Sequence, residues 1–300
     1  MKVLCFGSLN IDYTYSVDHF VAKGETLSSL GLQVFTGGKG LNQSIALAKA
    51  GCETWHAGAI GPDGRFLLDT MEKAGVNTGL VAVLEDARTG NAIIQRDRDG
   101  DNCILLYGGT NQMITDAQVD EVLSHFERGD YLVLQNEIND LPYIMTRAHE
   151  KGMIIALNPS PMNEKINALP LDFVDIFLLN EVEAGQILGS GERDQEELAD
   201  ALREKFPAAT IVLTLGGEGS LCIDKDEVIR QSAFRVQVVD TTAAGDTFTG
   251  FLIGGLLRGE EKASAMREAS AAAAIACSRP GAAPSIPTPD EVQAFLRERE

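Results

Sequence analysis

Apolar residues along this chain fall into short, largely unbroken runs set between longer stretches of helical character. Val3–Phe6, Tyr131–Leu134, Met153–Leu157, Ile176–Leu179 and Ile211–Leu215 are such runs. Their length and lack of polar alternation predict strands buried on both faces. Between them, Leu41–Ala50, Pro142–Lys151, Glu181–Leu188 and Glu196–Lys205 read as helices, the first of them stopped by Gly51 as a C-terminal cap. Strands alternating with helices predict an α/β fold with a mostly parallel sheet covered on both sides.

Two stretches break the rhythm. Asp12–Phe35 and Thr89–Tyr107 carry more β-formers and turn residues than helix formers, and Asp97–Asn102 is a turn between Ala92–Gln95 and Cys103–Leu106. That is a hairpin pattern. The two stretches predict a small second sheet made from insertions at about 12–35 and 89–107, within one domain spanning residues 1–300. No linker or internal repeat interrupts the pattern, and Ala271–Ala274 is helix-forming.

Composition narrows the function classes. Hydrophobic residues make up 44% of the 300 and charged residues 23%, values of an ordinary folded protein. A net charge of −19 argues against an electrostatic grip on nucleic acid or on an anionic membrane. Five scattered cysteines (Cys5, Cys52, Cys103, Cys222, Cys277) form no C-x-x-C, and the four histidines do not cluster at ligand spacing. Neither a disulfide framework nor a zinc site is expected. The N-terminus enters a strand at once, without a signal-peptide run, and no stretch reaches membrane-spanning length, so a soluble cytoplasmic protein is expected. Glycine is enriched, at 30 residues, and its placement carries the candidate chemistry.

The first glycine cluster, Thr36-Gly37-Gly38-Lys39-Gly40-Leu41-Asn42-Gln43, sits at a helix start. There free N–H groups, a cation and two amides are available to a ligand, although a tight turn with a solvated lysine fits the same residues. It is not a Walker A loop. The second, Asp240-Thr241-Thr242-Ala243-Ala244-Gly245-Asp246, lies between a strand pattern, Phe234–Val239, and a helix, Thr247–Leu257. Asp246 there is either a helix cap or a base beside an anion-binding turn. The third, Gly216-Gly217-Glu218-Gly219, is followed by the strand Ser220–Ile223 and the turn Asp224–Glu227, a hairpin. A dinucleotide loop must open a helix instead, so a nicotinamide-dependent dehydrogenase is disfavoured. Asn180-Glu181-Val182-Glu183 stands where a strand meets a helix, suited to an N-cap or to a ligand at a strand end.

In this order the clusters resemble the ribokinase/PfkB family of sugar kinases over nearly the whole chain. Gly7-Ser8-Leu9-Asn10-Ile11-Asp12 resembles the family's opening G-S-x-N-x-D, and Gly37–Gln43 its first signature. Asn180-x-x-Glu183 resembles its N-x-x-E motif, and Asp240–Phe248 its second signature. Within the family, Leu157-Asn158-Pro159-Ser160-Pro161, the Ala243-Ala244-Gly245-Asp246 form and the tail Arg279–Pro287 are most like the ribokinases. Departures occur at Gly109-Thr110, where G-A is usual before Asn111, at Gln135–Asn139, and at a partial G-x-D-x-x-G in Gly61–Gly64.

The resemblance implies a three-layer α/β kinase fold with a small β lid, and transfer of the γ-phosphoryl group of ATP to the primary hydroxyl of a sugar, D-ribose first among candidates. Fructose, a sugar acid or a nucleoside are alternatives within the family, and a non-catalytic sugar-binding regulator is the rival outside it. It implies that Asp246 is the base and that Ala243, Ala244 and Gly245 supply an anion hole. Asn10, Asp12, Gly38, Lys39, Asn42 and Glu137 would bind sugar. Asn180 and Glu183 would serve the phosphates and a water-held Mg²⁺, and Thr214, Gly216, Gly219 and Gly245 the nucleotide. Asp240, Thr242, Ala276, Arg279, Gly281 and Ser285 would hold a monovalent cation, K⁺. The lid would exclude water and pair two copies into a homodimer.

Overall fold

A computed structural model describes residues 1–189 and 194–299. The first half of the chain contains β1 (Val3–Phe6), β2 (Asn10–Ser16), β3 (Gly31–Gly37), α1 (Lys39–Lys49), β4 (Thr54–Ile60), α2 (Arg65–Lys73) and β5 (Asn77–Val83). It continues through β6 (Gly90–Arg96), β7 (Asn102–Tyr107), α3 (Asp116–Ser124), β8 (Tyr131–Gln135) and α4 (Leu141–Lys151). The second half adds β9 (Ile154–Asn158), β10 (Ile176–Asn180), α5 (Glu181–Leu188), α6 (Gln195–Lys205), β11 (Thr210–Thr214), β12 (Ser220–Ile223) and β13 (Val228–Gln231). The last helices are α7 (Ala244–Leu257), α8 (Lys262–Cys277) and α9 (Pro289–Arg297).

The main sheet has the order β13-β12-β11-β10-β9-β8-β1-β4-β5. From β11 to β5 every pairing is parallel, and β12 and β13 add an antiparallel hairpin at one edge. Alternation within β1 shows why its run is wholly apolar. Leu4 and Phe6 enter the core under α3, α4, α5 and α6, while Val3 and Cys5 enter the core under α1, α2, α7, α8 and α9. Burial on both faces leaves no polar side to the strand. Among the described residues no helix is long and apolar enough to cross a membrane.

One contact sets the position of the site. A Cβ on Gly250 of α7 would stand 2.4 Å from the Cβ of Ala46 on α1. The two small residues therefore let α1 and α7 touch at backbone distance, which brings the first turns of both helices side by side.

The second sheet has the order β3-β2-β6-β7. Its register puts Val34, Tyr13, Ile93 and Leu105 in one row, and Phe35, Asp12, Ala92 and Leu106 in the next row on the opposite face. The hairpin over Ala92–Leu106 is present as expected, with β6 and β7 antiparallel.

The strand expected over Phe234–Val239 is absent. The amides of Val239 and Asp240 both donate to the Cys277 carbonyl at the end of α8, and Phe234 packs edge-on against Phe295. The segment is thus tied to helices. Its apolar residues gave a strand pattern, but Val238 and Val239 are exposed and meet no neighbouring strand.

Candidate active site

The candidate residues gather at the C-terminal edge of the parallel sheet, where α/β folds present helix starts and strand ends to ligands. A cavity of about 200 Å³ lies there. Its wall includes Lys39, Asn180, Glu183, Thr214, Ala243, Gly245 and Asp246, residues from both signatures and the N-x-x-E motif, whereas the opening Gly7–Asp12 motif does not reach it.

Asp246 stands in the first turn of α7 and is 6% exposed. Its Oδ2 accepts from Asn42 Nδ2 at 3.1 Å and its Oδ1 from Gln43 Nε2 at 2.9 Å. The helix α7 begins after Ala243, which adopts a left-handed conformation (φ 60°) rare for a residue with a side chain. The Ala244 amide donates to the Thr241 carbonyl at 3.2 Å and the Thr247 amide to the Ala243 carbonyl at 2.8 Å, so of the expected donors Ala244 is already engaged, and Gly245 stands at the cavity end of the helix start. Gly245 has open space where a Cβ would project. The dipole of a fourteen-residue helix adds positive potential at the same point.

Lys39 joins this cavity to a second cluster at the root of the small sheet. Its backbone N–H donates to Glu137 Oε2 at 3.0 Å, and Ser8 Oγ donates to the same oxygen. Gly38, at φ 97°, makes the turn before Lys39, and a Cβ there would meet the Ser8 carbonyl at 2.8 Å. Asn10 Oδ1 accepts from Asn111 Nδ2 at 2.8 Å, and Asn111 Oδ1 accepts from the Leu9 amide at 3.0 Å. Burial pushes the Asp12 carboxyl up to about 7, with the neighbouring charge of Glu137 adding to the rise. Asn42 Oδ1 is buried without a hydrogen-bond partner, an acceptor left open for a hydroxyl.

Asn180 and Glu183 form a capping box at the start of α5. The Glu183 amide donates to Asn180 Oδ1 at 2.9 Å, and the Asn180 amide donates to Glu183 Oε2 at 2.9 Å. The capping reading of this pair is therefore realised, and both residues still face the cavity. Among the described residues no group of three or more His, Cys, Asp or Glu could hold a metal by itself. A divalent ion that keeps most of its waters and leans on ligand phosphates, as Mg²⁺ does, suits Glu183.

Thr214 reaches the cavity, and its Oγ1 donates to the Leu179 carbonyl at 3.2 Å. Gly216 and Gly219 do not line it. They turn the chain between β11 and β12, with Leu215 N–H donating to the Gly219 carbonyl at 2.8 Å. Of the cation set, Asp240, Thr242 and Gly281 are joined directly. Asp240 Oδ1 accepts from the Thr242 amide at 2.9 Å and from its hydroxyl, and Oδ2 from the Gly281 amide at 3.0 Å. Burial raises the Asp240 pKa, but these donors outweigh it and hold the carboxyl below its usual value. The Arg279 amide donates to the Ala276 carbonyl, whereas its guanidinium turns to Glu291 at 2.6 Å. Ser285 Oγ donates to the Ala282 carbonyl at 2.7 Å and is not linked to Asp240.

The cavity wall also holds Asn158, Ser160, Thr241, Phe248 and Thr249, which were not singled out as site residues. Asn158 ends β9, and the end of a parallel strand was the available signal.

A family model described as "pfkB family carbohydrate kinase" matches residues 1–289. The chain belongs to the pfkB family of carbohydrate kinases. A ribokinase of Haemophilus influenzae is 33% identical over 297 residues, covering 97% of this kinase and 96% of the relative. A ribokinase of Cryptococcus neoformans solved in complex with ADP superposes with a TM-score of 0.84 at 33% identity, covering 100% and 99% of the two chains. An Arabidopsis thaliana ribokinase complexed with ribose and ATP gives a TM-score of 0.88 at 28% identity, covering 99% and 98%. The matched stretch of this carbohydrate kinase contains every candidate residue from Asn10 to Ser285.

Proposed function

We propose that this kinase transfers the γ-phosphoryl group of ATP to the primary hydroxyl of D-ribose, giving ribose 5-phosphate and ADP. The observation that carries the reading is the placement of Asp246. A buried carboxylate, held at both oxygens by neutral amides, faces a cavity shared with Lys39, Asn180 and Glu183. Similarity to ribokinases over nearly the whole length supports ribose as the sugar.

Asp246 accepts the hydroxyl proton as the sugar oxygen attacks phosphorus. The amides at the start of α7 stabilise the charge on the transferred group. A carboxylate of ordinary basicity suffices, because the proton leaves late in a loose transition state. Asn10, Asp12, Gly38, Lys39, Asn42 and Glu137 hold the sugar, whose neighbouring hydroxyls donate in pairs to carboxylate and amide oxygens. Thr214 and the Gly216–Gly219 turn border the nucleotide. Glu183 would hold Mg²⁺ through water, and Mg²⁺ neutralises phosphate charge when bound. Asp240, Thr242 and the carbonyls near Ala276 and Gly281 would hold K⁺ beside the turn that leads into α7.

The small sheet acts as the lid that keeps water from competing with the sugar. A second copy covers its outer face, forming a homodimer. Five free cysteines fit the reducing cytosol as its location.

The test is ADP release from Mg-ATP across sugars led by D-ribose, in K⁺ or Na⁺, with Asp246→Asn as control. Ribose-dependent turnover that rises with K⁺ and falls by ~10³-fold or more in the variant is expected. Turnover only with fructose, a sugar acid or a nucleoside would overturn ribose. Full activity of Asp246→Asn would overturn the base.

A further inference from the structure

A buried line of amides runs from the central strand β8 to Asp246. Gln135, the last residue of β8, donates from Nε2 to Gln43 Oε1 at 2.6 Å. Gln43 in turn donates from Nε2 to Asp246 Oδ1 at 2.9 Å. Both glutamines are fully buried. We propose that Gln135 is a positioning residue for the reaction, acting through Gln43 to hold the Asp246 carboxylate in the orientation that takes up the sugar proton. This rests on the reading of Asp246 as the base.

The physical case begins with the two ends of an amide. A Gln side chain turned by half a revolution occupies nearly the same volume but exchanges donor for acceptor. With Gln43 turned over, its Oε1 would face the Asp246 carboxylate, oxygen against oxygen. Gln135 Nε2 can only donate, so it stabilises the one orientation in which Gln43 Oε1 points to β8 and Nε2 points to Asp246. It also satisfies an oxygen that would otherwise be buried without a partner, a costly state. Gln135 Oε1 is itself buried without a hydrogen-bond partner, so the bond to Gln43, with the long contact to Cys5, is what orients the Gln135 amide. A Cβ on Gly7 would stand 2.2 Å from its Oε1, so the glycine beside β1 is what leaves room for this amide.

Neutral amides suit the task. A lysine or imidazolium in their place would form an ion pair with Asp246 and weaken it as a base. Two amide donors fix the carboxylate while leaving lone pairs for an incoming proton. The titratable groups around Asp246 are Lys39 on α1 and Glu183 on α5, across the cavity, and Cys5 on β1, whose thiol burial pushes up to about 11. Cys5 therefore stays neutral, and it receives only a long contact from Gln135 Nε2, at 3.5 Å.

The experiment compares Gln135→Met, Gln43→Met, the double variant and Asp246→Asn in the full-length protein. Methionine keeps the length and approximate volume of glutamine without its donor. The readouts are the single-turnover rate of phosphoryl transfer from Mg-ATP to D-ribose and the two KM values. Gln135→Met is expected to slow transfer by about tenfold, the size of one coupled buried hydrogen bond, with both KM values within about twofold of the parent. The double variant costs no more than Gln43→Met alone, since Gln135 acts only through Gln43.

Transfer by Gln135→Met at the parent rate overturns the proposal, as does a double variant whose loss is the product of the two single losses. If the methionine variant does not fold, Gln135→Leu, which also lacks the donor, is read against the same outcomes. Loss of activity in Asp246→Asn beside an unaffected Gln135→Met rejects the positioning role and leaves the base standing. An active Asp246→Asn rejects the base itself.

Discussion

Asp12 joins chemistry to pH at a single side chain. Burial, then the neighbouring Glu137, raises its carboxyl to about 7, whereas in the unfolded chain it titrates near 4. Between those values the folded apo protein holds a proton that the unfolded chain has lost. Stability contributed at this site is therefore present at low pH and declines as pH rises through about 4 to 7. Sugar binding runs the other way, because the ionised carboxylate is the better acceptor for hydroxyls. The KM for the sugar is expected to fall as pH rises from 6 to 8, with a proton released on binding. Asp12→Asn flattens both trends. Steady-state kinetics over this range, beside thermal melts of the apo protein, check them, and an unchanged KM slope in the variant would remove Asp12 from the sugar's contacts. Asp12 stood out in the sequence through its motif, yet its elevated pKa did not, since its burial and the approach of Glu137 both depend on distant parts of the chain.

At the scale of elements, α5 shows how one motif carries two duties. Asn180 and Glu183 close a capping box, worth about 1 kcal/mol to the helix start, and the same pair faces the cavity. Glu183→Gln separates the duties. Glutamine still accepts from the Asn180 amide, so the melting temperature should change by less than ~2 °C. The Mg²⁺ concentration for half-maximal activity should rise by about tenfold if the lost charge supports the ion's water shell. A melting shift without any change in Mg²⁺ dependence would leave Glu183 a cap alone. The span of α5, Glu181–Leu188, was legible residue for residue because a cap, an apolar face and a terminal Gly189 agree. Phe234–Val239 was misleading because an apolar run states only that it would suit a strand, and here the end of the segment is bonded to the Cys277 carbonyl of α8 instead of to the open edge of β13. Gly216 and Gly219 illustrate the same ambiguity. Their positive φ values, 53° and 113°, are demanded by the hairpin itself, so the glycines alone do not announce a ligand.

Across the whole molecule, the signatures were visible because each is a local cluster of glycine and polar residues. What they build was not, because the bonds that unite them cross the chain. Gln43 and Asp246 are 203 residues apart, and no periodicity joins them. The lid makes a testable whole-molecule statement. On its outer face Val34 is 49% exposed, Leu105 67% and Tyr107 53%, an apolar surface that a second copy would cover. Leu105→Asp is expected to convert the protein to a monomer in sedimentation velocity while its melting temperature stays close to the parent's. A parent that already sediments as a monomer at tens of micromolar would rule the pairing out. The position of β1 has a different consequence. It lies between β4 and β8, so the first strand made is central in the sheet, and its second neighbour begins at Tyr131. A ribosome adding roughly 5–20 residues per second needs about 4–14 s to travel from the end of β4 to the start of β8. For that interval the nascent chain carries an apolar strand with one side bare. The newborn protein, more than the finished one, is where chaperones would find a client.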